Sequence, residues 1–110
     1  MRRGDLVFIA LQGEGGNYGG KPRPALVIQS DLFAEHPSVT LLPVTGELRE
    51  APLFRITLQP DAGNGLDQPS QIMVDKATAV PRVKLGARIG RVDGATMRTV
   101  DKALREFLGL

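Results

Sequence analysis

A mainly β fold of the α+β type, a small barrel-like sheet carrying short helices and a C-terminal α-helix, follows from three observations. Five or six short apolar segments alternate with breaks rich in Gly, Pro and Asp, the pattern of a small barrel. None of these segments has the length of a stable helix. After Asp93 the period changes, and Met97, Val100, Leu104, Phe107 and Leu108 fall along one helical face. The 110 residues suffice for one domain, 1–110, with its own core, and are too few for two.

The first strand is expected over Leu6 to Leu11, bounded by Gly4-Asp5 and Gln12-Gly13. The stretch from Gln12 to Pro22 then contains Gly13, Gly15, Gly16, Gly19 and Gly20, which supply no side chains for a core, so a long loop is expected there. Pro24 to Ile28 is a second strand, with Pro24 acceptable at its start. Ser30-Asp31 offers capping oxygens ahead of Leu32-Phe33-Ala34-Glu35, but Pro37 limits the helix to one or two turns. Val39 to Val44 forms the third strand and Leu53 to Leu58 the fourth, with Phe54, Ile56 and Leu58 on one face. A turn over Pro60 to Gly65 leads to a strand at Ile72 to Val74, and Ile89 to Val92 is the last one. Asp93 is a helix N-cap and Gly109 the natural stop.

Composition narrows the chemistry. With 42% hydrophobic and 24% charged residues the chain reads as an ordinary folded protein rather than a disordered one. No apolar run approaches the roughly 20 residues of a membrane span, and the N-terminus turns acidic at Asp5 before any signal-like stretch, so the expected place is the cytoplasm. The absence of cysteine removes disulfides, thiol nucleophiles and thiolate-bound zinc. A single histidine, His36, rules out a two-histidine acid-base pair within one chain. The acidic residues are dispersed without ligand spacing, so neither a metal nor another cofactor is expected. The glycine-rich loop lacks the Gly-Lys-Ser/Thr ending of a nucleotide-binding loop. A net charge of +2 and a basic isoelectric point near 9.4 lean only weakly toward a polyanionic partner.

Three ordered pieces carry more weight: Gly4-Asp5-Leu6-Val7, Gly20-Lys21-Pro22-Arg23-Pro24-Ala25-Leu26-Val27-Ile28, and Pro43-Val44-Thr45. With Pro69-Ser70-Gln71-Ile72, Ile89-Gly90 and the closing Ala103-Leu104 and Leu108-Gly109-Leu110, the chain resembles the MazF/PemK toxins over essentially its whole length. The resemblance implies an SH3-like β-barrel of the CcdB/MazF type and a homodimer. It also implies a basic groove for single-stranded RNA, and a cognate antitoxin that blocks that groove. It further implies a metal-independent endoribonuclease that cuts messenger RNA and leaves a cyclic phosphate.

RNA carries its own nucleophile, the 2'-hydroxyl, so such an enzyme needs to position it, move protons and stabilise charge at phosphorus. On the resemblance, Arg23 and Thr45 are the catalytic pair. A guanidinium gives two parallel hydrogen bonds to phosphate oxygens, and the threonine hydroxyl can bond phosphate or orient the 2'-hydroxyl. A turn-forming Thr45 before Gly46 is the structural alternative. The candidate RNA contacts are Tyr18, Lys21, Ser70, Lys76 and Arg82. Tyr18 either stacks on a base or packs its loop. Ser70 either contacts RNA or satisfies backbone groups. Lys76 stands where some relatives carry glutamine, and Arg82 belongs to a loose basic cluster with Lys76, Lys84, Arg88 and Arg91 that either lines the groove or forms a solvated face. Gly46 departs from relatives with a second hydroxyl residue at that place. Two other readings stay open: a non-enzymatic CcdB-like toxin that poisons gyrase, and a family member that has lost cleavage.

Overall fold

The computed structural model describes residues 1–10 and 22–110. Its elements are β1 (Asp5–Ile9), β2 (Arg23–Val27), β3 (Ser38–Thr45), β4 (Arg55–Leu58), β5 (Ser70–Met73), β6 (Thr78–Pro81), β7 (Leu85–Arg91) and α1 (Gly94–Leu108). Single 3-10 turns lie at Asp31–Phe33, Val74–Lys76 and Arg82–Lys84. Ser30 Oγ accepts the Leu32 N–H at 3.2 Å and so caps the first of these turns.

All strand pairs are antiparallel, in the order β4-β5-β3-β2-β1-β7, with β6 also on β3. The long β3 organises the sheet. One edge holds β2 through Leu41 to Pro43, while the other is shared, Ser38 to Leu41 pairing with β6 and Val44-Thr45 with β5. The 3-10 turn Val74–Lys76 separates those two partners, and the Val74 N–H is satisfied by the Phe54 carbonyl at 2.9 Å.

The central strands are apolar on both faces because both faces are covered. Leu6, Leu26, Leu42, Val44 and Ile72 pack with Val100 and Ala103 of α1, and the alternate residues Val7, Ile9, Ala25, Val27, Val39 and Leu41 form a second cluster with Val80 of β6 and Leu85 of β7. The two-residue period of a strand assigns each side chain to one cluster or the other. Phe54, Ile56 and Leu58 join the first cluster, as their alternation predicts.

The expected barrel requires a correction: β4 and β7 end the sheet, and no ladder joins them. A loop occupies the gap instead. Gly63 O accepts the Arg91 N–H at 2.8 Å, covering the edge of β7 without a strand. Backbones meet so closely that a Cβ on Gly90 would lie 2.4 Å from the Asn64 carbonyl, and one on Gly65, at φ +68°, would lie 2.3 Å from the Ile89 oxygen. Asn64, buried, ties the loop together by accepting the Asp61 and Leu66 N–H groups and donating to the Gln59 carbonyl at 2.9 Å.

Most strand bounds shift by one or two residues from the sequence reading, and two strands depart from it further. β6 was not expected at all, since only Val80 of its four residues is even partly buried. β7 starts at Leu85 rather than Ile89, its first half exposed at Gly86, Ala87 and Arg88. The helix follows its signals: Asp93 Oδ1 accepts the Thr96 N–H at 2.7 Å, and Gly109 ends α1 at φ 74°. Its apolar stripe nevertheless outruns the core, because Phe107 and Leu108 remain 51% and 56% exposed.

Candidate active site

Antiparallel pairing brings the end of β1 beside the start of β2, the start of β2 near the end of β3, and the end of β3 against the start of β5. A cleft of about 300 Å³ opens where these ends meet. Arg23 stands on its rim as the first residue of β2, exposed, between Pro22 and Pro24. Its backbone pairs with Ile9 of β1, and among the described residues its guanidinium makes no hydrogen bond or ion pair. Apolar surface is supplied by Phe8, Leu66 and Ile89, and the far wall by Gly46, Gln68 and Ser70.

Thr45 ends β3 between Val44 and Gly46, both of which line the cleft. Its Oγ1 accepts the Glu47 N–H at 3.1 Å, which leaves the hydroxyl proton free to be donated. The turn-forming function is therefore present, and it is compatible with donation to a phosphate. Behind Thr45 the buried Gln71 fixes the next segment: its Oε1 accepts the Arg49 N–H at 2.9 Å and Arg55 Nη1 at 3.1 Å, and its Nε2 donates to the Arg49 carbonyl at 3.0 Å. Ser70, also buried, lies in the wall with its Oγ donating to the Gln68 carbonyl at 3.0 Å.

Two of the remaining candidates, Arg82 and Lys76, lie elsewhere. Arg82 donates through Nε to the His36 carbonyl at 2.8 Å and through Nη2 to the Phe33 carbonyl at 3.4 Å, holding the connector before β3 rather than lining the cleft. Lys76, on the 3-10 turn after β5, lies 4.0 Å from Asp75 and is also outside the cleft. Tyr18 and Lys21 lie outside the described residues. His36 sits on the exposed connector, its ring bonded to the Ser38 N–H at 3.1 Å. Among the described residues, no three His, Cys, Asp or Glu side chains come together as a metal-holding group, and no helix is long and apolar enough to cross a membrane.

Two members of the basic cluster converge on Asp5. The Asp5 carboxylate, only 4% exposed, accepts the Arg2 N–H at 2.8 Å, Arg91 Nη1 at 2.8 Å and Arg88 Nε at 3.2 Å. Burial alone raises its pKa, but the Arg2 N–H and the Arg88 and Arg91 guanidiniums together outweigh burial and hold it below the usual carboxylate value. Asp5 thus fixes the first turn and the β1–β7 edge.

Sequence reasoning missed Phe8, Asp67 and Gln68. Phe8 is hidden in a continuous apolar run, yet it is 38% exposed and lines the cleft. A larger apolar depression of about 510 Å³ shares Phe8 and Pro22 with the cleft and carries Lys84, but Arg23 belongs to the smaller one.

The family model described as PemK-like, MazF-like toxin of type II toxin-antitoxin system matches residues 2–108. The chain is 46% identical over 110 residues to a probable endoribonuclease MazF of Mycolicibacterium smegmatis, covering 100% of this chain and 98% of that protein. It is 30% identical to the endoribonuclease EndoA of Bacillus subtilis, covering 100% and 96% respectively. In fold it is similar to an endoribonuclease in complex with its cognate antitoxin from Mycobacterial species, with a TM-score of 0.80 at 22% identity over 100% of this chain and 96% of that one.

Proposed function

The chain belongs to the PemK-like, MazF-like toxins of type II toxin-antitoxin systems, and on that premise we propose that it is a metal-independent endoribonuclease acting on single-stranded messenger RNA. The observation that carries this reading is the placement of the exposed Arg23 on the rim of a cleft that Thr45 adjoins and Ser70 lines. Arg23 binds the scissile phosphate through two N–H groups and stabilises the negative charge that builds as the 2'-oxygen attacks. The Thr45 hydroxyl donates to a non-bridging oxygen. The 2'-hydroxyl gives up its proton as its oxygen bonds to phosphorus, the bond to the 5'-oxygen of the next nucleotide breaks, and that oxygen takes up a proton, giving a 2',3'-cyclic phosphate and a 5'-hydroxyl.

The cytoplasm, which holds the messenger pool, is the proposed place of action. A cognate antitoxin that covers the cleft is the proposed inhibitor, and a homodimer the proposed assembly. Both curated relatives described above carry the name endoribonuclease, which favours cleavage over the gyrase-poisoning alternative.

The test is incubation of the purified protein with single-stranded RNA in excess chelator, followed by end-group analysis. Cyclic phosphate and 5'-hydroxyl ends are expected. Arg23→Ala should lower kcat/KM by about 10² to 10³, the scale for losing one donor to a developing oxyanion, and Arg23→Lys should recover only part of it. RNA left intact by the wild-type protein would refute the reading and leave the inactive-member alternative standing.

A further inference from the structure

We propose that Gln68 is the specificity-determining residue of the cleft, its carboxamide reading the edge of one unpaired RNA base beside the phosphate that Arg23 holds. This rests on the ribonuclease reading given above. Gln68 is exposed on the cleft wall. Its backbone carbonyl is taken by Ser70 Oγ, but among the described residues its carboxamide has no hydrogen-bond partner. An amide side chain offers a donor and an acceptor side by side, the complement of a base edge that presents both.

Gly46 leaves the space in which that carboxamide lies. A Cβ at position 46 would come within 2.6 Å of Gln68 Nε2 and 3.2 Å of Cδ, closer than a side chain there can be tolerated without moving the amide. With glycine at position 46, the space that a side chain there would enter is occupied by the end of the Gln68 side chain.

Electrostatics decides which part of the RNA meets this wall. Arg23 and Asp67 both line the cleft, and a phosphate is drawn to the guanidinium and repelled by the carboxylate beside Gln68. The Asp67-Gln68 wall is therefore left for an uncharged base, and the apolar surfaces of Phe8, Pro24 and Leu66 in the same cleft suit the face of an unstacked ring.

The experiment is cleavage of a randomised single-stranded RNA pool, with sequencing of the fragment ends, for the wild type, Gln68→Ala, Gln68→Glu and Gly46→Ala. In parallel, the same four proteins select from a 2'-O-methyl RNA pool, which lacks the nucleophile and reports binding alone. Gln68→Ala should lower base preference at one position next to the cut by about tenfold or more, leaving preferences elsewhere unchanged. Gly46→Ala, which displaces the amide, should relax the same position. Gln68→Glu should shift that preference toward bases with an amino donor, because a carboxylate only accepts. Unchanged preference in Gln68→Ala, or a uniform loss of rate at every site, would overturn the assignment. A wild type that cuts nothing but binds 2'-O-methyl RNA with a Gln68-dependent base preference would refute the nuclease reading while upholding this one; no base preference in binding would overturn it.

Discussion

At Asp5 a carboxylate is taken out of water at the point where the chain enters its first strand, and three donors from Arg2, Arg88 and Arg91 compensate it. Charged hydrogen bonds of this kind contribute more than neutral ones, and the burial makes their loss felt. Asp5→Asn should therefore destabilise the fold by about 2 kcal/mol near neutral pH, discounted because both guanidiniums remain half-exposed. Since the folded-state pKa is lowered, the contribution is fully present above the unfolded value of about 3.9 and disappears as pH falls through the folded value below it. Urea titrations of both proteins should show a stability gap that is constant from neutral pH down to about 5 and closes in stronger acid. A gap independent of pH would mean that shape, not charge, matters at this position. For Thr45, the bond from the Glu47 N–H separates two functions that a substitution can distinguish. Thr45→Ser should keep both the turn and most of the cleavage. Thr45→Val should lower kcat by about 10², measured on the same RNA.

At the level of elements, the loop of residues 61–66 replaces the strand ladder that would have closed the barrel. It works only because Gly90 and Gly65 let two backbones touch. Gly90→Ala should cost about 2–4 kcal/mol, the scale of an overpacked backbone contact with little room to relax, read as a lower urea midpoint at unchanged slope. A neutral result would show that the loop can lift off the edge of β7. The same elements explain what the sequence discloses. Alternation in residues 53–58 and helical spacing after Asp93 arise from burial against one core, so the pattern is written in the residues that make it. Leu85 to Arg88 and Thr78 to Pro81 are strands by hydrogen bonding to neighbours, with side chains largely in solvent, and pairing of that kind leaves little trace in hydropathy. Arg23 and Thr45 were proposed from the ordered motifs around them, and the strand pairing sets Arg23 in the cleft and Thr45 beside it. Gln68, in contrast, acquires its setting from Gly46, a residue 22 positions earlier in the sequence, and no local pattern connects the two.

On the scale of the whole molecule, the net charge of +2 understates how little free positive charge faces the cleft. Arg3 pairs with Asp101, Arg49 with Glu47, Lys76 with Asp75, and Arg88 and Arg91 with Asp5. Arg82 is directed to backbone carbonyls. Among the described residues that line the cleft, Arg23 is the cation and Asp67 opposes it. RNA binding should accordingly involve about two or three phosphate neutralisations, counting a contribution from Lys21. For a single strand each neutralised phosphate adds about −0.7 to the slope of log affinity against log salt. Affinity for a short, non-cleavable RNA should then fall by only about tenfold between about 50 and about 200 mM salt, where proteins with many phosphate contacts lose about 10³ or more. Arg23→Ala should flatten the slope by about 0.7, whereas Gln68→Ala should weaken the preferred sequence without changing the slope, because a carboxamide releases no counterion. Measuring the six slopes, wild type and each of the two variants on preferred and scrambled RNA, separates charge from base reading. A steep wild-type slope insensitive to Arg23 would place the RNA on another basic surface and remove the cleft from the binding path.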